Sequence, residues 1–315
     1  MDATTFLDAL PADGPILVTG PIGPDGDSMG GCLALQRVLR ARGRDVDVAA
    51  HVPWRYRWLP GADAVVPDNQ LRREYPTAIV VDGDRHRLTP DVDARYRAAT
   101  VQAILDHHGS TRPAEYHVAW VEPAASSACE MIYRALQGWG VPLDVDLATA
   151  LYTGIVFDTG GFRHSNTTPD VLRIAAGLVE LGVDHTQVVS RILHERSFQG
   201  MQLAGRILSS ATLHCDGALC VAGVVGLHGA DLEGIVESLM QVVGVEVGAL
   251  LTERSGGRVK ISLRSRGRVD VAALAARIAP TGGGHRKAAG AVVQGGLAAA
   301  TTILEAAVAD DLRDP

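Results

Sequence analysis

Ile16-Leu17-Val18-Thr19-Gly20-Pro21-Ile22-Gly23-Pro24-Asp25-Gly26-Asp27-Ser28-Met29-Gly30-Gly31 is the stretch on which the reading of the fold turns. Its first four residues are apolar or β-branched without alternation, as in a strand buried on both faces. A glycine- and proline-rich turn follows. From Ser28 to Gly43 apolar residues recur at spacings of three and four, the pattern of a helix with one buried face. A strand that turns tightly into a helix is the opening of a βαβ unit. Outward from it the pattern repeats, with strands predicted at residues 46–50, 77–82 and 101–106. Apolar strands separated by helical segments predict an α/β fold: a doubly wound, mostly parallel sheet covered on both faces.

Helical spacing dominates from residue 126 to about residue 210, in segments 126–139, 146–157 and 169–181. Another helix is expected to start near Asp184, and residues 195–210 are expected to connect two domains. The last hundred or so residues change character. Strands are predicted at 218–225, 245–252 and 258–264, with a helical segment at 231–243. A helix at 269–278, a glycine-rich loop, a short strand at 291–294 and a final helix follow. This describes a smaller α/β domain with its own sheet. The full length of 315 residues accommodates both.

Composition narrows the function. The formal net charge is −7, which excludes a protein built to coat long nucleic acid. A short phosphorylated ligand needs only a local basic patch. Four cysteines are too few for a disulfide framework at this length. No signal peptide and no membrane-length apolar run is visible, so the expected location is the cytoplasm, with no membrane partner.

Five clusters of reactive side chains sit on this frame. In the Asp25-Gly26-Asp27 turn, two carboxylates can hold adjacent hard metal ions, or one ion from two sides; the plainer alternative is a helix cap. Asp82, in Val81-Asp82-Gly83-Asp84, ends an apolar strand, where open α/β sheets place ligands. Asp106-His107-His108 ends the next strand. One histidine there is a metal-ligand candidate and the other is expected to face bound phosphate. Asp158 closes an apolar helix, where the macrodipole disfavours an acid and a nearby cation repairs the conflict. Last, Gly282-Gly283-Gly284-His285-Arg286-Lys287 lets the backbone approach an anion and adds donors beside it. Arg264-Ser265-Arg266 supplies further basic groups upstream. Four metal-type clusters and one anion-type cluster together suggest a nucleotide phosphate held between two domains while metals perform hydrolysis.

With the Asp-x-Asp turn, the Asp106-His107-His108 triplet and the Gly-Gly-Gly-His loop in this order, the chain resembles the DHH phosphoesterases that carry a DHH-associated C-terminal domain. Its length and layout look like those of their nanoRNase/PAP-phosphatase, or bacterial oligoribonuclease, group. Trp120-Val121-Glu122-Pro123 and Ser126-Ser127-Ala128-Cys129-Glu130 also resemble that group, and the likeness spans nearly the whole chain. It implies a DHH domain at residues 1–195, a helical connection at 196–212 and a substrate-binding domain at 213–315. The family uses two divalent ions, usually manganese, with magnesium and cobalt as further candidates. By resemblance Asp25 and Asp82 serve the first ion, and Asp27, Asp82, His107 and Asp158 the second. His108 then contacts the scissile phosphate and Asp106 orients the histidine pair. Arg264, Ser265, Gly283, Gly284, His285 and Arg286 hold the far end of the nucleotide.

One position departs from the family. A histidine that ligates the first ion is normally found where this chain has Pro21, so that ion is short of one protein ligand. The implied activity is hydrolysis of very short oligonucleotides, extending to 3′-phosphoadenosine 5′-phosphate. A cyclic or linear dinucleotide phosphodiesterase is the nearest alternative, and a nucleotide sensor with a degenerate metal site belongs to another class. The sequence leaves open whether the chain acts alone or as a homodimer.

Overall fold

The computed structural model describes residues 3–226, 232 and 234–313. The chain divides into two compact units, Met1–Glu195 and Arg196–Pro315. The first contains α1 (Ala3–Asp8), β1 (Ile16–Thr19), α2 (Gly26–Ala41), β2 (Val46–Ala49), β3 (Thr77–Val81), α3 (Pro90–Ala98), β4 (Val101–Asp106), β5 (Val118–Val121), α4 (Ala128–Trp139), α5 (Val145–Asp158), α6 (Pro169–Glu180) and α7 (His185–Val189). Its five strands form one sheet in the order β2-β1-β3-β4-β5, all parallel.

Alternation along the strands divides the apolar residues between two layers. Ile16, Val18, Ile79 and Val81 pack with Met29, Leu33, Ile132 and Ile155 on one face. Leu17, Ala78 and Val80 pack with Val92 and Tyr96 on the other. Burying one such side chain is worth about 1.5–3 kcal/mol, and the two layers hold the strands flush at their carboxyl ends. The chain runs from β1 outward to β2, then crosses back to β3. The order therefore reverses between β1 and β3, which opens a crevice beyond their carboxyl ends.

Helices α2 and α5 approach unusually closely through glycine. A Cβ on Gly30 would stand 2.4 Å from the Ala150 carbonyl oxygen. One on Gly154 would stand 2.3 Å from Cys129 Sγ and 2.4 Å from Asp27 Oδ1.

The second unit contains α8 (Phe198–Ser209), β6 (Thr212–His214), β7 (Leu219–Val225), α9 (Ile235–Leu239), β8 (Val247–Arg254), β9 (Arg258–Ser265), α10 (Val271–Ile278), β10 (Gly283–His285), β11 (Ala288–Gln294) and α11 (Gly296–Arg313). Its six strands run β10-β11-β9-β8-β7-β6, antiparallel except for the β7–β8 pair. Three short strands escape the sequence pattern: β5, β6 and β10. The expected glycine-rich loop is in part a hairpin, with Gly283–His285 paired to residues 288–290. Gly284 lies at φ +143°, and a Cβ there would meet the Ala288 carbonyl oxygen at 2.5 Å. The helix expected as a connector is α8, which buries Ala204 and Ile207 against Cys220 and Leu250 of the second unit. Of the helix expected at 231–243, α9 covers five residues, while Asp231 and Glu233 lie outside the described residues. Among the described residues no helix is long and apolar enough to cross a membrane.

Candidate metal centre

The carboxyl ends of β1, β3 and β4 and the end of α5 deliver their acids and histidines to one place. Asp27 enters in the first turn of α2 and is fully buried. Its Oδ2 accepts from the Ala128 N–H at 2.6 Å and its Oδ1 from the Cys129 N–H at 3.0 Å. These amides belong to the first turn of α4, which Ser127 caps, so a helix N-terminus steadies the carboxylate. Asp82 follows β3 at φ +54°, a left-handed conformation uncommon for a residue with a side chain. Ser28 Oγ donates to its Oδ2 at 2.7 Å. Asp158 ends α5, and its carbonyl lies 2.9 Å from His164 Nδ1.

His107 meets this group edge-on. Its Nδ1 lies 3.3 Å from the Ala125 carbonyl oxygen, which turns Nε2 inward. Nε2 stands 2.9 Å from Asp158 Oδ2, 3.4 Å from Asp82 Oδ1 and 3.9 Å from Asp27 Oδ2. The approach to Asp158 is close but lacks the direction of a hydrogen bond. Both His107 Nε2 and Asp82 Oδ1 are buried with no hydrogen-bond partner. One donor atom from each of Asp27, Asp82, His107 and Asp158 lies within 4.8 Å of the others. Donors on opposite sides of one ion, each at about 2.1 Å, span about 4.2 Å, so this set fits a cation that would satisfy both of those unpartnered atoms. Three carboxylates and an imidazole suit a hard or borderline divalent ion.

Electrostatics point the same way. Desolvation, then the charges of Asp82 and Asp158, push Asp27 up to about 8. Asp158 is raised by desolvation, which outweighs the lowering by His107. Burial also opposes ionisation of Asp82, but the close approach and charge of His107 outweigh it and bring Asp82 down to about 2. Burial works against the His107 imidazolium, yet Asp158, Asp82 and Asp27 lift it to about 12. Crowded carboxylates stand here with the protonated ring of His107 among them.

His108 is held differently. Its Nδ1 lies 2.7 Å from Asp106 Oδ1 and 3.5 Å from Asp82 Oδ1, and a third of the side chain is exposed. Asp106 is fully buried; its Oδ1 also accepts from the His107 N–H at 2.9 Å, and its Oδ2 accepts from Thr111 Oγ1. Asp82, His107 and His108 form a second group of converging donors. Asp25 belongs to neither group. Its Oδ1 caps α2, accepting from Asp27 N–H at 3.1 Å and Ser28 N–H at 3.0 Å. Pro21 is buried, and its ring would lie 3.0 Å from a Cβ on Gly83. Among the described residues no other histidine takes its place. His86 Nε2 stands 3.7 Å from Glu115 and 3.9 Å from Asp84, while His51 lines a separate cavity with Arg57 and Asp68. Ser28, Thr111, His164 and Asn166 also serve the centre and were not anticipated. Ser28 had a signal, lying directly after Asp27. The others act through contacts that emerge only on folding.

In the second unit the strand register places His285, Ala288 and Arg264 side by side, with Gly283, Gly290 and Ser262 in a parallel row on the same sheet face. His285, Gly283, Gly284 and Arg286 are exposed. Arg264 donates to Glu237 at 2.8 Å, and Arg286 to the Gly267 carbonyl at 3.2 Å. Ser265, expected to contact the nucleotide, is engaged within its own turn. It is buried, its Oγ lies 2.7 Å from the Val269 carbonyl oxygen and 3.0 Å from Glu246 Oε1, and it accepts from the Gly267 N–H at 2.9 Å. Its hydroxyl holds the turn at residues 265–269 and is not presented outward.

Comparison with known proteins adds to this geometry. Residues 15–155 match the model of the DHH family, N-terminal domain, and residues 216–310 match that of the DHHA1 domain. The chain is 34% identical over 285 residues to the bifunctional oligoribonuclease and PAP phosphatase NrnA of Thermus thermophilus, covering 90% of this chain and 85% of that one. It is 28% identical over 289 residues to the protein of the same name from Bacillus subtilis, covering 88% and 89%. An exopolyphosphatase-related protein of Bacteroides fragilis, known from its crystal structure, shares the fold. The TM-score is 0.86 at 23% identity, over 98% of this chain and 95% of that one.

Proposed function

The chain belongs to the DHH family of phosphoesterases, and from that membership we propose that it removes nucleotides from very short oligonucleotides and dephosphorylates 3′-phosphoadenosine 5′-phosphate. The observation that carries the proposal is the convergence of Asp27, Asp82, His107 and Asp158, with two buried donor atoms left unsatisfied among them. The similarity to proteins named for both activities supports the choice of substrate.

Bound divalent ions, manganese in this proposal, would lower the pKa of a water and offset charge on the phosphoryl oxygens. The protein's own groups do the rest. Asp27, Asp82, His107 and Asp158 hold an ion, and the α4 amides and Ser28 keep the Asp27 and Asp82 carboxylates in place. The Ala125 carbonyl selects the His107 tautomer whose Nε2 faces inward. His108, oriented by Asp106, donates to a phosphoryl oxygen as negative charge grows there. Asp25 and Asp82 serve a first ion from which Pro21 withholds a ligand. In the second unit Arg264, His285, Arg286 and the Gly283–Gly284 backbone hold the end of the nucleotide away from the reacting phosphate. All four cysteines are free, which supports a reducing, cytoplasmic setting.

The test is a substrate panel of short RNA, short DNA, 3′-phosphoadenosine 5′-phosphate and dinucleotides, run with Mn²⁺, Mg²⁺, Co²⁺ and a chelator. Asp82→Ala and His107→Ala should each lower turnover by more than about 100-fold, since even a partner behind the ligands is worth about 10–100-fold. Wild-type metal-dependent turnover in either folded variant would refute the site.

A further inference from the structure

One side chain ties together the segment that carries Asp158 and the segment whose backbone contacts Asp27 and His107. Asn166, beyond the end of α5, donates through Nδ2 to the Ser126 carbonyl at 3.1 Å and to the Asp158 carbonyl at 3.3 Å. On one side of it stands Asp158 itself. On the other, residues 125–129 supply the carbonyl against His107 Nδ1 and the two amides that hold Asp27. Among uncharged side chains only an amide offers two hydrogens on one nitrogen, and two carbonyls facing that nitrogen fix which way the amide points. The Asp158 carbonyl is one of those left open at a helix C-terminus, and it meets partners from outside the helix, His164 Nδ1 at 2.9 Å and Asn166 Nδ2 at 3.3 Å, of which only Asn166 also reaches the Ser126 carbonyl. We infer that Asn166 is a positioning residue of the metal centre: it sets the distance between Asp158 and the 125–129 segment, and so the convergence of Asp158, His107 and Asp27.

The inference rests on the metal reading of that cluster and adds a residue which touches neither ion nor substrate. A residue kept only for stability has a cheaper solution at this place. Asn166 Oδ1 is buried without a hydrogen-bond partner, and such an atom costs free energy that an apolar side chain would not. The penalty is understandable where the geometry of the two carbonyls matters.

The experiment compares the full-length wild type with Asn166→Ala, with the isosteric Asn166→Asp, and with Thr167→Val. Thr167 is the adjacent residue, and its hydroxyl is likewise buried and unpartnered. Mn²⁺ affinity is measured by calorimetry, the visible absorption of the Co²⁺-loaded protein reports ligand geometry, and unfolding of the metal-free form reports stability. Both Asn166 variants should weaken Mn²⁺ binding by about 10–100-fold and alter the Co²⁺ spectrum. Thr167→Val should leave affinity and spectrum as in the wild type. Asn166→Ser, which retains one donor, should fall between, and it serves if either other variant fails to fold. A wild type that binds no divalent ion would overturn the metal reading itself. Wild-type affinity and spectrum in the Asn166 variants would overturn the inference alone, as would an equal loss in Thr167→Val.

Discussion

At Asp27 a carboxylate stands fully buried among others, held up to about 8 by desolvation and then by Asp82 and Asp158. His107 opposite it is pushed up to about 12, because the surrounding acids outweigh its burial. In the metal-free protein both groups carry protons at neutral pH, and a metal ion binds only their deprotonated forms. Mn²⁺ affinity should therefore rise between about pH 6 and 8.5, with proton release visible as a dependence of the calorimetric heat on the buffer's ionisation enthalpy. A flat profile with no proton release would refute these assignments. The linkage has a definite sign. Both folded-state values lie above the ordinary 3.8 and 6.5, so protonation stabilises the metal-free fold. That contribution is complete below those values and is lost as pH rises towards about 8 for Asp27 and about 12 for His107. Pro21 bears on the same ions. Its ring fills the space over Gly83, and Asp25 is engaged in capping α2. The site of Asp27, Asp82, His107 and Asp158 should fill first, with a second ion following at higher concentration. Pro21→His should tighten that second ion in a calorimetric titration. Two equally tight sites in the unmodified protein would show that the proline costs nothing.

At the scale of elements, the centre depends on how closely α2 and α5 approach. Gly154 leaves no room for a methyl group, because both Cys129 Sγ and Asp27 Oδ1 stand where it would go. Gly154→Ala should destabilise the fold by about 1–3 kcal/mol and weaken metal binding through Asp27. Gly138, exposed in α4 with open space around a Cβ, gives the opposite sign: Gly138→Ala should stabilise by about 0.5–1 kcal/mol and leave metal affinity alone. Chemical denaturation and metal titration of the two variants check both halves. The elements differ in how far the sequence discloses them. β1 and β3 are unbroken apolar or β-branched runs, β4 is one interrupted only by Gln102, and all end at a turn or an acid, so they and the reactive residues at their ends were readable. β5 alternates between buried and half-buried over four residues, too short for a period to register. β10 is two glycines and a histidine, which local preference assigns to a loop; it becomes a strand because β11 offers it a partner. The candidate ligands stood out because acids and a histidine pair end apolar strands and a helix, although an acid in such a turn also serves as a helix cap, as Asp25 does. Their supports did not: Asn166 acts on a carbonyl 40 residues away, and Ala125 acts through its backbone.

For the molecule as a whole, a net charge of −7 gives no general attraction for a polyanion, so binding must come from a local surface. In the proposed reading that surface is the exposed face of the second unit's sheet, beside Arg264, His285 and Arg286. Gly283, Gly290, Ser262 and Ala288 form its floor, His285 and Arg264 stand at its edges, and a Cβ built on Gly283 meets nothing within 4 Å. Small residues let a planar base or a sugar lie against the sheet, and the bordering donors reach only a phosphate or two. Arg264 pairs with Glu237 and Arg286 with Asp270, and the side chains of His285 and Arg286 are the more exposed. A surface of this kind contributes binding that is much the same before and during reaction, and such binding acts on KM. His285→Ala should raise KM for short oligonucleotides several-fold with kcat nearly unchanged, whereas Asp82→Ala collapses kcat. Affinity should also depend only weakly on salt, with a log–log slope of about −1 to −2, because one to three phosphates are neutralised. A collapsed kcat at unchanged KM in His285→Ala would place that imidazole at the reacting phosphate, and a steep salt slope would mean that a long strand is bound; either result would overturn the division of labour between the two units.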